Sequence, residues 1–125
     1  MSLAKVLIVD DEPEVRQVLH EFLSGRGYEV TLAEGGREAL AAIDAVKPDL
    51  VLLDVAMPDM DGLETLRQIV ALYPPLPVIM VTANADIGVT SKLLAMGAVD
   101  YVPKPFDLEY LDQAVSIQVT AAQDR

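Results

Sequence analysis

The stretch from Leu50 to Gly62, Leu-Val-Leu-Leu-Asp-Val-Ala-Met-Pro-Asp-Met-Asp-Gly, decides the predicted fold. An unbroken apolar run ends on the carboxylate of Asp54, and a cluster rich in Asp, Pro and Gly follows it. A short apolar run bounded by turn residues is typical of a strand buried on both faces of a parallel sheet. Because ligands bind at the carboxyl ends of strands in open α/β sheets, Asp54 is predicted to serve chemistry rather than packing.

Four further short runs predict strands along the chain, and a helical pattern follows each strand. Together with residues 50–54, the predicted strands are 5–9, 28–33, 77–81 and 99–102. Apolar residues at helical spacing predict helices at 13–23, 39–46, 63–70, 86–96 and 107–119. The strand at 28–33 alternates apolar and polar residues, which predicts a position at a sheet edge. We expect a three-layer, doubly wound α/β fold of the flavodoxin-like (βα)5 type, with a five-stranded parallel sheet in the order 2-1-3-4-5.

Composition limits the class of protein. The 125 residues, 52% of them hydrophobic, fit a single domain spanning residues 1–125 with a substantial core. Residues 1–3 are compatible with a cloning remnant, and the polar end at residue 125 is compatible with a cut in a longer protein. The absence of cysteine and of a signal-peptide pattern predicts a cytoplasmic location. A formal net charge of −11 disfavours binding to nucleic acid or to a membrane surface.

Polar side chains stand where four of the predicted strands end. These residues are Asp10 and Asp11 after the first strand, Asp54 at the third, Thr82 at the fourth and Lys104 just past the fifth. The carboxyl ends of parallel strands share one edge of a sheet, so these side chains are expected to lie close together.

Three neighbouring carboxylates need a compensating charge. Two carboxylates about 4 Å apart repel by roughly 4 kcal/mol at an effective dielectric constant near 20. Mg²⁺ is suited to this role because it binds one or two carboxylates together with water and phosphoryl oxygens. Lys104 offers a positive charge to a phosphoryl oxygen, and the Thr82 hydroxyl can donate a hydrogen bond to another. The pattern therefore predicts phosphoryl transfer with Asp54 as the nucleophile, which forms an acyl phosphate.

Four segments carry a resemblance to the receiver domain of two-component response regulators, similar to the chemotaxis regulator that consists of this domain alone. They are Val6-Leu-Ile-Val-Asp10-Asp11-Glu12, Leu52-Leu-Asp54-Val-Ala-Met-Pro58-Asp-Met-Asp61-Gly62, Val81-Thr82-Ala83 and Asp100-Tyr101-Val-Pro-Lys104-Pro105-Phe106. Each segment is a weak signal alone, but the four together, in this order and at strand ends, are very specific. The resemblance covers nearly the whole chain.

The resemblance implies a role for each residue of the acidic site. Asp54 would accept a phosphoryl group from a phosphohistidine on a sensor histidine kinase or on a histidine phosphotransfer protein. Asp10 and Asp11 would hold Mg²⁺ together with Asp54 and the backbone carbonyl of Ala56. The domain would then be a phosphoacceptor rather than a turnover enzyme, with at most slow self-dephosphorylation.

The resemblance also implies a switch. Thr82 and Lys104 would contact the phosphoryl oxygens, Tyr101 would turn inward when Thr82 moves, and the Lys104–Pro105 bond would be cis. The face formed by the fourth helix, fifth strand and last helix would change and control a partner or an output domain beyond residue 125. The same face would be available for a homodimer.

Two other functions stay open on the residues alone. A phosphohydrolase with an aspartyl-phosphate intermediate needs an acid or base two residues beyond the nucleophile, and Ala56 cannot serve as one. A receiver-like interaction domain that is never phosphorylated is the second alternative, and the presence of the complete set of predicted site residues argues against it.

Overall fold

The computed structural model describes residues 4–57, 60–84 and 86–123 of the chain. Its strands are β1 (Lys5–Val9), β2 (Glu29–Ala33), β3 (Leu50–Asp54), β4 (Val78–Thr82) and β5 (Asp100–Pro103). All of them pair in parallel in the order β2-β1-β3-β4-β5, which confirms the predicted topology. The suggested remnant at residues 1–3 and the chain end at residue 125 lie outside the described residues.

A helix follows each strand, as the alternating pattern predicts. The helices are α1 (Pro13–Gly25), α2 (Gly36–Val46), α3 (Gly62–Leu72), α4 (Ile87–Ala95) and α5 (Leu108–Gln123). Helices α1 and α5 pack on one face of the sheet, and α2, α3 and α4 pack on the other. Among the helices of the described ranges, none has the length and apolar character needed to cross a membrane.

The central strands contribute to two cores because successive side chains point to opposite faces of the sheet. Ile8 and Leu52 belong to the core with α1 and α5, whereas Leu7 and Leu53 belong to the core with α2, α3 and α4. Every residue of β3 and of β4 is buried. Burial stabilises each large apolar side chain by roughly 1.5–3 kcal/mol, so β3 is a rigid support for Asp54 at its end.

Strand β2 lies at the sheet edge and is only partly buried, which confirms the interpretation of its alternating sequence. Strands β2, β4 and β5 each begin one residue later than predicted. For β4 the reason is chemical, because Pro77 has no backbone N–H to donate. Its carbonyl still accepts a hydrogen bond from the amide of Val51 at 3.0 Å, so Pro77 contacts β3 without being part of the strand.

Aspartates mark the starts of three helices. The side chain of Asp61 accepts a hydrogen bond from the amide of Glu64 in α3, and that of Asp86 accepts one from the amide of Gly88 in α4. Asp107 accepts bonds from two amides of α5, which confirms its predicted role as a cap. These bonds satisfy amides that lack a partner within the helix.

Gly62 is required by the close approach of α3 to the end of β3. A Cβ atom at this position would overlap the carbonyl oxygen of Asp54 and would lie 2.6 Å from the Cα atom of Val55. We expect Gly62→Ala to lower the free energy of unfolding by about 3 kcal/mol, at the upper end of the usual cost of overpacking. Urea unfolding measures this change. Gly25→Ala is the control, because a Cβ atom there meets nothing within 4 Å, and equal stability of the two variants would contradict the steric argument.

Candidate functional site

Two carboxylates and one ammonium group meet at the carboxyl edge of the sheet, as predicted from the strand ends. Asp10 follows β1 and is 2% exposed, and Asp54 ends β3 and is 4% exposed. The Nζ atom of Lys104, which follows β5, lies 3.1 Å from Asp10 Oδ2 and 3.4 Å from Asp54 Oδ1. Three strands that are distant in sequence therefore contribute one charged group each to the same site.

Backbone contacts hold these groups in place. The amide of Asp10 donates to the carbonyl of Ala33 at 3.1 Å. The carbonyl of Asp10 accepts a hydrogen bond from Arg16 Nη1 at 2.7 Å. The amide of Lys104 donates to the carbonyl of Thr82 at 2.8 Å, which extends the pairing of β4 and β5 by one residue. The peptide bond between Lys104 and Pro105 is cis, as the resemblance implied.

An acidic cluster forms the open side of the site. Carboxylate oxygens of Asp10, Asp11 and Glu12 all lie within 4.8 Å of one another, and Asp11 and Glu12 are exposed. Glu12 Oε1 also lies 3.6 Å from Lys104 Nζ, so three carboxylates surround this ammonium group. Glu12 was not among the predicted site residues, although its position directly after the two aspartates was a usable signal.

The site carries more negative than positive charge, because one ammonium group lies among three carboxylates. Burial, and then the nearby charge of Asp10, raise the pKa of Asp54 from 3.8 to about 6, although Lys104 and the amide of Ala56 act in the opposite direction. Burial alone would lower the pKa of Lys104, but the carboxylates of Asp10, Asp54 and Glu12 outweigh it and raise that pKa. Clustered oxygen donors that lack sufficient counter-charge fit a hard divalent cation such as Mg²⁺.

Thr82 is buried beside this site, and its hydroxyl is bonded to the turn that follows β4. Its Oγ1 donates to the carbonyl of Asn84 at 2.9 Å and accepts from the amide of Asn84 at 3.0 Å. The Asn84 side chain in turn accepts a bond from the amide of Asp86 at 3.0 Å. The single hydroxyl proton of Thr82 is therefore donated to the carbonyl of Asn84, and this role of Asn84 was not predicted.

Tyr101 lies in β5 and is half-buried, packed against the core that contains α2, α3 and α4. Its carbonyl accepts a bond of 3.4 Å from the hydroxyl of Tyr110 in α5. Thr82 is on β4 and Tyr101 is on the adjacent strand β5, where Tyr101 pairs with Met80 and Thr82 pairs with Pro103. The predicted switch pair is thus placed on neighbouring strands.

Several cavities lie outside the charged centre. One of about 310 Å³ adjoins the acidic cluster and is lined by Asp11, Met57 and the start of α2. A larger one of about 460 Å³ lies beside the connections after α2 and α3 and has a mainly apolar lining that includes Tyr73 and Leu76. None of the predicted site residues lines the larger cavity.

Comparison with known proteins gives a consistent family. The family model described as response regulator receiver domain matches residues 6–116. The DNA-binding transcriptional regulator NtrC of Salmonella typhimurium is 45% identical over 117 residues, which cover 94% of this chain and 24% of NtrC. The response regulator MprA of Mycolicibacterium vanbaalenii is 47% identical over 107 residues, which cover 86% of this chain and 46% of MprA.

Solved structures agree with the sequence relatives. A CheY-like response regulator receiver domain protein from Methanospirillum hungatei has a TM-score of 0.91 and 32% identity, and the match covers 98% of both chains. This chain spans about a quarter of the length of NtrC and under half of the length of MprA. The matched residues include every strand end that contributes to the charged site. The chain belongs to the response regulator receiver domain family of two-component systems.

Proposed function

We propose that this domain is a signalling switch in which Asp54 accepts one phosphoryl group from a phosphohistidine. The donor is a sensor histidine kinase or a histidine phosphotransfer protein. The observation that carries the proposal is the position of Asp54, a buried carboxylate whose Oδ1 atom lies 3.4 Å from the ammonium group of Lys104. Phosphoryl transfer is catalysed mainly by positioning and by neutralisation of the charge on the transferred group. It therefore requires a nucleophile beside a fixed positive charge.

The transfer follows from the chemistry of the groups present. A carboxylate oxygen of Asp54 forms a bond to phosphorus while the bond between phosphorus and the histidine nitrogen breaks, and the imidazole leaves with the bonding electron pair. Lys104 donates to an oxygen of the transferred group, and Thr82 donates to another after it releases Asn84. Lys104 and Thr82 both donate to the negatively charged oxygens that the phosphoryl group brings to the site.

Asp10, Asp11, Asp54 and the backbone carbonyl of Ala56 are the residues that would hold Mg²⁺ in this proposal. The bound ion would supply positive charge to the phosphoryl oxygens and would offset the repulsion between the carboxylates. The raised pKa of Asp54 is consistent with this assignment, because burial and then the neighbouring charge of Asp10 disfavour its ionised form and a bound cation would favour it.

The output of the switch is a change in the face formed by α4, β5 and α5. Phosphorylation adds negative charge and acceptor oxygens beside Thr82 and Lys104, which favours the arrangement of these residues that brings both donors to Asp54. Helices α4 and α5 already expose the apolar side chains of Ile87, Leu94, Tyr110 and Ile117, and Val99 is exposed just before β5. A typical coupling of about 1–3 kcal/mol between two sites changes partner affinity roughly 5- to 150-fold.

The face formed by α4, β5 and α5 is proposed to bind a second copy of the domain, a separate partner or an output domain beyond residue 125. The longer relatives support an output domain, since this chain spans only part of their length. Binding to nucleic acid would then belong to such a domain and not to this one, which carries a formal net charge of −11. A cytoplasmic location is also proposed, on the absence of cysteine and of a signal-peptide pattern.

Incubation with Mg²⁺ and a small acyl phosphate tests the proposed reaction. We expect the mass of the intact chain to increase by one phosphoryl group, and we expect chelation of Mg²⁺ or the change Asp54→Asn to prevent this. Asp44→Asn, an exposed aspartate in α2, is the matched control and should react like the wild type. Equal incorporation by wild type and Asp54→Asn would refute the proposal.

The same assay separates the two alternatives. Repeated hydrolysis of phosphate monoesters would indicate a phosphohydrolase, and the exposed Ala56 gives that reaction no acid or base. Failure to bind Mg²⁺ and to take a phosphoryl group would indicate an interaction domain that is never phosphorylated.

A further inference from the structure

Gly36, the first residue of α2, lies directly against the connection between β3 and α3. The residue is buried, and Met60 and Thr65 occupy the space that a side chain would need. A Cβ atom at Gly36 would overlap Thr65 Oγ1 and would lie 2.8 Å from Met60 Sδ and 2.9 Å from Met60 Cβ. Closely packed interiors do not absorb such contacts without movement, so even one methyl group must displace Met60 and Thr65.

Thr65 links that contact to the residues after Asp54. Thr65 is fully buried at 0% exposure, and its hydroxyl donates to the carbonyl of Asp61 at 2.9 Å. Gly62, the next residue after Asp61, donates its amide to the carbonyl of Val55 at 2.9 Å. Two hydrogen bonds therefore connect the residue that touches Gly36 with the residue that follows Asp54.

The residue after Val55 adjoins the acidic site, because the amide of Ala56 donates to Asp54 Oδ1 at 3.4 Å. Ala56 and Met57 follow Val55, and Met57 is buried at 7% exposure. Met57 and Gly36 also line the cavity of about 310 Å³ that includes Asp11. Gly36, Met57 and Asp11 of the acidic cluster therefore border the same cavity.

We propose that Gly36 is a positioning residue for Mg²⁺ binding. Its lack of a side chain lets α2 approach the connection after β3 closely enough to hold the carbonyl of Ala56 in place. The inference rests on the proposed function, because it requires that carbonyl as a metal ligand. Mutation of a group that orients a metal ligand typically lowers the affinity for the metal by roughly 10- to 100-fold.

The variant Gly36→Ala tests the proposal. We expect Mg²⁺ affinity to fall by roughly tenfold, and we expect the amide resonances of Val55, Ala56 and Met57 to shift in the metal-free protein. Titration of the amide spectrum with Mg²⁺ measures both effects. Gly88→Ala is the matched control, because the nearest atom to its added methyl group is Asp86 Oδ1 at 3.6 Å, and it should bind Mg²⁺ like the wild type.

A second comparison separates positioning from loss of stability. Val119→Ala removes a buried side chain of α5 on the opposite face of the sheet and should destabilise the fold without weakening Mg²⁺ binding. If Val119→Ala weakens binding as much as Gly36→Ala does, or if Gly36→Ala binds like the wild type, the proposal is wrong.

A third variant covers the case in which Gly36→Ala does not fold. Thr65→Val preserves the shape of the side chain and removes the bond to the Asp61 carbonyl, so it should also weaken Mg²⁺ binding, and unchanged affinity would overturn the proposal. A wild-type domain that binds no Mg²⁺ would refute the proposed metal site as well. Unchanged binding in the variants alone would refute only the role of Gly36.

Discussion

We expect Lys104→Met to slow phosphoryl transfer to Asp54 by roughly 10²- to 10³-fold, the usual cost of removing one group that stabilises charge in a transition state. The expected effect is large because Lys104 Nζ lies between 3.1 and 3.6 Å from the carboxylates of Asp10, Asp54 and Glu12. Without this ammonium group, Asp54 loses the main influence that lowers its pKa. A larger fraction of the nucleophile is then protonated at neutral pH.

Two features of the Lys104→Met experiment make it specific. The rate of phosphoryl incorporation from a small acyl phosphate is measured as a function of pH, and the profile should move to higher pH as well as to lower rate. Lys92→Met, a change of an exposed lysine on α4, is the control and should leave the rate unchanged. A Lys104→Met domain that reacts as fast as the wild type would show that this ammonium group is not part of the reaction.

The second large effect concerns stability in the absence of Mg²⁺. Asp54→Asn is expected to raise the free energy of unfolding by up to roughly 3 kcal/mol above pH 6, which is the penalty that corresponds to the raised pKa of Asp54. Below the unfolded pKa of 3.8, the carboxyl group is protonated in both states and contributes no difference. As the pH rises toward the folded pKa of about 6, the wild type loses stability because the folded state disfavours the ionised form.

Urea unfolding at several pH values, with and without Mg²⁺, measures this stability difference. The advantage of Asp54→Asn should develop between pH 3.8 and about 6, and Mg²⁺ should reduce it by stabilising the wild-type carboxylate. Glu21→Gln, at an exposed position of α1, is the control and should show no such dependence. A less stable Asp54→Asn protein at neutral pH without Mg²⁺ would contradict the interpretation.

The fold was predictable because burial leaves a strong pattern in this sequence. Residues 50–54 are apolar up to Asp54, and all of them are buried, so a continuous apolar run correctly indicated a central strand. The mixed pattern of residues 28–33 correctly indicated an edge. The predicted first residues of the strands were less accurate. A single hydrogen bond decides whether Pro77 or Val78 is the first residue of β4.

The meeting of Asp10, Asp54 and Lys104 was predictable for a topological reason. The ends of parallel strands must share an edge, whatever the side-chain conformations are. The contact between Glu12 and Lys104 and the bonds between Thr82 and Asn84 depend instead on side-chain rotamers and on turn geometry. Periodicity carries no information on either property, so these contacts had to come from the structure.

Gly36 illustrates the same limit at longer range. Next to Gly35 in the sequence, it indicated only the end of the second strand. Its importance comes from Met60 and Thr65, which follow it by more than 20 residues and pack against its Cα atom. Close approaches of this kind are set by how helices pack and leave no local signature.

The most direct test of the central claim is to locate the phosphoryl group. The wild-type domain is incubated with Mg²⁺ and a small acyl phosphate, and fragmentation of the modified chain by tandem mass spectrometry identifies the residue that carries the added mass. We predict a single phosphoryl group on Asp54. A group on any other residue, with Asp54 unmodified, would contradict the assignment of Asp54 as the acceptor.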